Sequence, residues 1–67
     1  MSIGENVRRI RIECGMPQKD LALAVEVEPP MISMVERDTR ALSLPLACKI
    51  AKVLGCSVMD FLDDKSV

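Results

Sequence analysis

Apolar residues recur at intervals of three and four along most of this chain, a spacing that is typical of amphipathic helices. Local start and stop signals divide the pattern into five helical segments. The first segment opens with the capping box Ser2-Ile3-Gly4-Glu5 and stops at Gly15, which tolerates a positive φ. One apolar stripe runs along this predicted helix: Ile3, Val7, Ile10 and Cys14.

Two short segments follow, each beginning beside proline. A second helix is predicted over about residues 18–25, directly after Pro17. The third begins between Glu28 and Pro30, because a first helical turn has N–H groups without an acceptor and so tolerates proline. A residue that precedes proline avoids the α region, so Pro29 is either the first helical residue or the cap. The core-facing residues of the two helices are Leu21, Ala22, Val25, Ile32 and Val35.

The last two segments are also well bounded. Ser43 caps a fourth helix and Gly55 ends it. The apolar stripe of this helix consists of Leu44, Ala47, Ile50, Ala51 and Leu54. A fifth helix opens with another capping box, Ser57-Val58-Met59-Asp60, and Phe61 and Leu62 close the core.

Composition narrows the class of fold. With 49% apolar residues, one Phe and neither Trp nor Tyr, the core must be aliphatic. Aliphatic side chains pack well between helices, whereas a sheet favours aromatic and β-branched residues. The connections are short, so we expect a compact all-α domain of five helices over residues 3–62. Residues 63–67 are too polar to pack and are expected to form a short tail.

The side chains offer few routes to catalysis or metal binding. The chain has no His, no Gly-rich phosphate loop, and three Cys residues without CxxC spacing, Cys14, Cys48 and Cys56. We therefore expect no enzyme activity, no metal, no cofactor, and reduced, mostly buried thiols. No apolar run approaches the ~20 residues that cross a bilayer, so we predict a soluble cytoplasmic protein without a membrane partner. The net charge of −1 favours neither nucleic acid nor membrane.

Three stretches of sequence are more specific than these general features. The first places Arg8 and Arg11 before Gly15, Met16, Gln18, Leu21 and Ala22. The second is ISMVER, residues 32–37, and the third is ACKIAKVLGCS, residues 47–57. Together they resemble the lambda repressor-like, XRE-type (Cro/cI-type) helix-turn-helix family over residues 3–62.

The resemblance implies a fold in which the second and third helices form a helix-turn-helix, joined by the tight connection Glu26-Val27-Glu28. It also implies a sequence-specific transcriptional regulator, with repression as the expected effect. Such a protein would bind a duplex DNA operator through its third helix in the major groove, as a dimer on an inverted repeat.

Family roles carried over residue by residue place the DNA contacts on the second and third helices. Gln18 would contact a backbone phosphate through its amide, and Arg37 and Arg40 would hold phosphates on the flank. Base edges would be contacted from the outer face of the third helix by Pro29, Pro30, Ser33 and Met34. Arg11 and Glu36 match positions that form a partly buried ion pair.

Apolar residues outside the helical stripes indicate self-association. Leu46, Val53 and Met59 lie on the fourth and fifth helices, the end of the molecule to which the resemblance also points. A two-fold interface needs a self-complementary patch, and clustered apolar groups supply one. We therefore expect a homodimer.

Several positions depart from the family pattern. Pro17 replaces the usual Thr or Ser, so the second helix loses its side-chain cap. Glu26 replaces the usual Gly of the turn, so either Glu26 is left-handed at a cost of ~1 kcal/mol or the turn is rearranged. Glu28 and the two prolines after it stand where the family has polar side chains that hydrogen-bond to base edges.

Charge around the third helix leaves two interpretations open. Residues 17–38 carry two basic and five acidic side chains, a net charge of −3, whereas phosphate affinity comes mainly from Lys and Arg. Either this helix contacts DNA by shape and van der Waals contact, for instance with thymine methyl groups, or its apolar edge binds another protein. The second interpretation describes a protein-interaction module, such as an antitoxin or an anti-repressor, with weak or no DNA binding.

Overall fold

A computed structural model describes residues 2–62, so the predicted tail at 63–67 lies outside the described residues. The chain forms five α-helices: α1 (Ile3–Glu13), α2 (Gln18–Ala24), α3 (Pro29–Glu36), α4 (Leu44–Leu54) and α5 (Val58–Leu62). No strand occurs within residues 2–62, and the predicted five-helix, all-α fold is confirmed. None of these helices is both long enough and apolar enough to cross a lipid bilayer.

The predicted capping box of α1 is formed completely, and that of α5 is formed in part. At the start of α1, Ser2 Oγ accepts a hydrogen bond from Glu5 N at 3.0 Å, and Glu5 Oε1 accepts one from Ser2 N at 3.0 Å. At the start of α5, Asp60 Oδ2 accepts from Ser57 N at 2.9 Å, but Ser57 Oγ accepts from Met59 N at 3.1 Å and not from Asp60 N. These bonds satisfy N–H groups that have no partner within the helix. Local sequence therefore sets where both helices begin.

The boundaries of α4 are also as predicted. Ser43 Oγ accepts from Leu46 N at 3.3 Å, and Gly55 ends the helix in a left-handed conformation with φ of 73°. Gly15 has a similar φ of 70° just after α1. A residue with a β-carbon would be strained at either position, so each glycine serves as a stop signal.

The core is aliphatic with one aromatic ring. Its buried members are Val7, Leu21, Ala22, Val25, Ile32, Ala47, Ile50, Ala51, Leu54 and Phe61. Four residues predicted to face this core are exposed instead: Ile3, Cys14, Leu44 and Leu62. Each lies at the first or last position of its helix or just beyond it, where the apolar stripe extends past the helix that would cover it.

The prediction of mostly buried thiols is wrong. Cys14 and Cys48 are exposed and Cys56 is half-buried, and all three are free thiols. Cys14 follows the last residue of α1, where its Sγ donates to the carbonyl oxygen of Leu54 at 3.4 Å. Burial raises the pKa of the Cys56 thiol above its ordinary value, and the nearby Asp60 carboxylate and Cys14 raise it further.

Close packing of α1 against α3 fixes the orientation of α3. Gly4 is buried at this contact, and a β-carbon there would overlap the carbonyl oxygen of Val35 and lie 2.7 Å from that of Glu36. Asp38, just beyond α3, accepts a hydrogen bond from Gly4 N through Oδ1 at 3.0 Å. The first turn of α1 and the last turn of α3 are thus held together by backbone contact.

A second polar contact joins α1 to α5. Asn6 is 1% exposed, and its Nδ2 donates to the carbonyl oxygen of Phe61 at 2.8 Å. Because Phe61 is completely buried in the core, this bond ties the C-terminal helix to the middle of the domain. The remaining surface of the core is closed by α4, which contacts both α2 and α5.

Candidate nucleic-acid interface

The turn between α2 and α3 contains a left-handed residue, although that residue is not a glycine. Glu26 has a φ of 63°, which is the left-handed conformation and one of the two alternatives predicted from the sequence. Glu26 N donates to Leu23 O at 3.2 Å, and Val27 N donates to Ala22 O at 3.0 Å, so both satisfy carbonyls at the end of α2. Val27 packs against the core, which holds the turn in place.

The start of α3 has almost no backbone donors. Glu28 is the N-cap, without a side-chain capping bond, so Pro29 is the first helical residue and not the cap. Pro29 and Pro30 have no N–H group, and Met31 N donates to Glu28 O at 2.9 Å. The N-terminus of α3 therefore lacks the free N–H groups with which a helix start usually binds anions.

The two faces of α3 have different chemistry. Ile32 and Val35 are at most 1% exposed and pack inward. On the outer face, Pro29 and Pro30 are exposed, and Ser33 and Met34 are half-buried. Apart from the Ser33 hydroxyl, this outer face offers methyl and methylene groups, which suit contact with apolar groups such as a thymine methyl.

Two arginines lie beyond the end of α3. Arg37 and Arg40 are exposed, and neither forms an ion pair with a residue between 2 and 62. The segment between them is held by Thr39, whose N and Oγ1 both donate to Met34 O, at 3.0 and 3.1 Å. Asp38 has a φ of 62°, and its bond to Gly4 fixes the loop against α1. Both guanidinium groups are therefore available on an ordered loop beside α3.

Arg11 and Glu36 lie in direct contact beneath this surface. Arg11 Nε donates to Glu36 Oε2 at 2.6 Å and a second guanidinium nitrogen donates to Glu36 Oε1 at 3.1 Å. Their side chains are 9% and 1% exposed, so the pair is almost fully shielded from water. Removing one partner of such a pair costs about 3–5 kcal/mol, because the remaining charge is left buried and uncompensated.

Gln18, the first residue of α2, takes part in the same network. Its Nε2 donates to Glu36 Oε1 at 2.9 Å, and the side chain is half-buried. The Gln18 amide, which is predicted to contact a phosphate, therefore already donates one hydrogen bond inside the protein. Since an amide nitrogen carries two hydrogens, a second N–H remains for an external acceptor.

The predicted dimer residues lie on α4 and α5, two helices that contact each other. Met59 is 67% exposed, whereas Leu46 and Val53 are half-buried and pack partly against the core. Leu46 and Val53 are two helical turns apart and so share one face of α4. Only part of the apolar area expected at this end of the molecule is therefore free.

Sequence reasoning did not identify Gly4 and Asp38 as residues that orient α3. A weak signal was present for Gly4, because glycine inside a helix is unfavourable by about 1 kcal/mol relative to alanine unless packing requires it. No comparable signal marked Asp38, whose role depends on a bond to a residue 34 positions away.

Comparison with known proteins gives a consistent result. A helix-turn-helix family model matches residues 7–61. Control protein C.BamHI from Bacillus amyloliquefaciens is 41% identical over 61 residues, which cover 90% of this chain and 75% of that protein. The HTH-type transcriptional regulator RamB from Mycobacterium tuberculosis is 32% identical over 59 residues, covering 88% of this chain but only 12% of the length of RamB.

Solved structures share the same arrangement of helices. The N-terminal DNA-binding domain of SinR from Bacillus subtilis has a TM-score of 0.86 and 30% identity, covering 97% of this chain and 96% of that chain. The structure of SinR in complex with DNA has a TM-score of 0.85 and 31% identity, covering 91% and 98% of the two chains.

Proposed function

This chain belongs to the helix-turn-helix family, and we propose that it is a transcriptional regulator that binds duplex DNA through α3 in the major groove. The observation that carries the proposal is the pair α2–α3, held rigidly by Gly4 and the buried ion pair, with an outer face open to solvent. The similarity to SinR, which has been solved bound to DNA, supports it. Repression follows most simply, since a protein bound across a promoter excludes the polymerase.

Affinity and specificity have different sources in this proposal. Arg37, Arg40 and the second N–H of Gln18 contact backbone phosphates, which fixes the position of the protein on the duplex. Base pairs are discriminated by contact of the apolar outer face of α3 with the floor of the major groove, through Pro29, Pro30, Ser33 and Met34.

The few positive charges near α3 lead to a shallow salt dependence. Each phosphate neutralised by Lys or Arg contributes about −0.9 to the slope of log K against log salt concentration. Two arginines in each of two protomers would therefore give a slope of roughly −3 to −4. Four phosphate contacts by charged side chains are few, so much of the affinity comes from uncharged contacts and shape complementarity.

We propose that the active species is a homodimer, joined through Leu46, Val53 and Met59, on an inverted repeat. Dimers of this kind place two recognition helices on one side of the duplex, about one helical turn apart. The protein then acts where the operator is, in the cytoplasm of a bacterial cell.

Selection of bound sequences from a random DNA pool, followed by binding measurements, tests the proposal. Fluorescence anisotropy is measured with the selected operator and with scrambled DNA of the same composition, at salt concentrations from about 50 to about 200 mM. Over this range, electrostatic binding weakens strongly and can be told apart from sequence-specific binding. We expect tighter binding to the operator at all salt concentrations. The double variant Arg37→Ala/Arg40→Ala is the matched control and should lose affinity for both DNAs.

A protein-interaction module is the second candidate function. It is favoured by the net charge of −3 over residues 17–38 and by the partly exposed Met31 and Met34, since flexible thioether side chains adapt to varied partners. Failure of the wild-type protein to bind either DNA at low salt would reject DNA recognition. The outer face of α3 would then be a docking surface for another protein.

A further inference from the structure

The Gln18 amide is held from inside the protein by a residue of α3. Glu36 is 4% exposed, and its Oε1 accepts from Gln18 Nε2 at 2.9 Å. The same oxygen accepts from Arg11 at 3.1 Å, and the other carboxylate oxygen accepts from Arg11 Nε at 2.6 Å. The buried carboxylate therefore joins α1, α2 and α3 at a single point.

The chemistry of the carboxylate fixes the orientation of this amide. An ionised carboxylate only accepts hydrogen bonds, so Gln18 must direct its nitrogen, and not its oxygen, toward Glu36. One N–H is used by that bond, and planarity of the amide then sets the direction of the other. A free glutamine side chain at the surface would instead sample several rotamers and both amide orientations.

Arg11 holds both ends of this arrangement. Its third guanidinium nitrogen donates to the carbonyl oxygen of Met16 at 2.7 Å, two residues before Gln18. The guanidinium thus fixes the carboxylate that orients the amide and also the backbone from which α2 begins. It neutralises the buried negative charge as well, which would otherwise repel a nearby phosphate.

We infer that Glu36 is a positioning residue for DNA binding, which aims the second N–H of Gln18 at a backbone phosphate without touching DNA itself. The inference rests on the proposed function and adds a role for the buried ion pair beyond stability. Arg11 supports the same role, because it keeps the carboxylate in place. Removal of the ion pair should therefore weaken DNA binding only when Gln18 is present.

Replacing the whole ion pair with apolar residues separates positioning from stability. Exchange of a buried ion pair for well-packed apolar side chains often leaves stability unchanged or raises it. We therefore use Arg11→Met/Glu36→Leu, alone and combined with Gln18→Ala, and compare operator binding by the four proteins. The unfolding midpoint of each is measured by circular dichroism. Ile50→Val, a core change far from this network in sequence, is the control for altered stability.

The expected result is non-additive. Arg11→Met/Glu36→Leu should weaken operator binding by about threefold to tenfold, the effect of having to order a flexible side chain on binding. Gln18→Ala should weaken it by at least as much, and the combined variant should bind no more weakly than Gln18→Ala. An equal additional loss in the Gln18→Ala background, or no loss in the wild-type background, would overturn the inference.

A measurement without DNA keeps this result apart from the proposed function. In a ¹H–¹⁵N spectrum, the Gln18 side-chain proton that is hydrogen-bonded to Glu36 should lie downfield of its position in a free glutamine, and the pair of Gln18 signals is identified by its absence in Gln18→Ala. These signals should move toward those of a free glutamine in Arg11→Met/Glu36→Leu; unchanged signals would contradict the inference. Wild-type protein that shows the downfield-shifted signal but binds no DNA would overturn the proposed function and the positioning role with it.

Discussion

Two single residues, Glu26 and Asp38, adopt left-handed backbone conformations at opposite ends of α3. Their φ angles are nearly equal, 63° and 62°. Their side chains differ in what they do, since Asp38 accepts a hydrogen bond from α1 whereas Glu26 lies exposed in the turn. The same backbone strain is therefore accompanied by a side-chain hydrogen bond at only one end of α3.

Glycine at these two positions should have opposite effects. Glu26→Gly should raise the free energy of unfolding by about 0.5–1 kcal/mol, because relief of left-handed strain exceeds the added flexibility of the unfolded chain. Asp38→Gly should lower it, because the bond to Gly4 N is lost. Urea denaturation followed by circular dichroism gives both values, and an equal gain in the two variants would show that the Asp38 bond contributes nothing.

Gly4 is the residue at which a single methyl group should be most disruptive. Gly4→Ala would force α1 away from the last turn of α3, so we expect a loss of roughly 1–3 kcal/mol despite the better helix propensity of alanine. Arg8→Ala, on the exposed face of the same helix, is the control and should stay within about 0.5 kcal/mol of wild type. A thermal unfolding midpoint of Gly4→Ala at or above that of Arg8→Ala would contradict the close packing.

At the scale of helices, boundaries could be predicted from the sequence but exposure at the helix ends could not. Capping boxes and stop glycines act within a few residues, so the limits of α1 and α4 followed from local chemistry. Ile3, Leu44 and Leu62 are exposed. Their exposure depends on whether a helix distant in sequence covers them, and a local sequence pattern cannot predict that. The same limit applies to the site, where the ion-pair partners were named from family resemblance and the Gly4–Asp38 contact was missed.

Within α3 and the loop after it, mutations should separate affinity from specificity. Arg40→Ala should weaken binding to operator and scrambled DNA alike and reduce the salt slope by roughly one unit per phosphate lost. Met34→Ala should reduce the preference for the operator while leaving the slope unchanged. Binding of both DNAs across a salt series measures the two effects.

Removal of the negative charge at the start of α3 should have the opposite effect on DNA affinity to removal of a positive charge. Glu28→Gln should tighten binding to both DNAs, because it removes a negative charge that faces phosphates. Weaker binding by this variant, or a salt slope altered by Met34→Ala, would be inconsistent with α3 lying in the major groove as proposed.

For the molecule as a whole, the proposed homodimer depends on α4 and α5. Met59 on α5 is 67% exposed, and Leu46 and Val53 on the adjoining α4 are half-buried. Apolar side chains on two adjoining helices can form a self-complementary surface when two copies meet across a two-fold axis. A two-fold axis here would leave α3 of each copy free for DNA.

Sedimentation at protein concentrations of roughly tens of micromolar, where weak dimers associate, should show a dimer of the 7.4 kDa chain. Met59→Lys should shift the protein toward monomer, because it places charge in an apolar interface. Leu23→Lys changes an even more exposed apolar residue, at 79%, outside that interface and should leave the dimer intact. A single 7.4 kDa species for the wild type would count against dimerisation.

The alternation of buried and outward residues along α3 also bears on how such a protein changes over generations. The fold requires the buried residues of α3, which are Ile32, Val35 and Glu36. The outer face contributes little to the core and consists of Pro30, Ser33 and Met34. Mutations in the second set can therefore accumulate in a duplicated gene without unfolding its product. A descendant could acquire a different target sequence by a few such changes, while inheriting the scaffold intact.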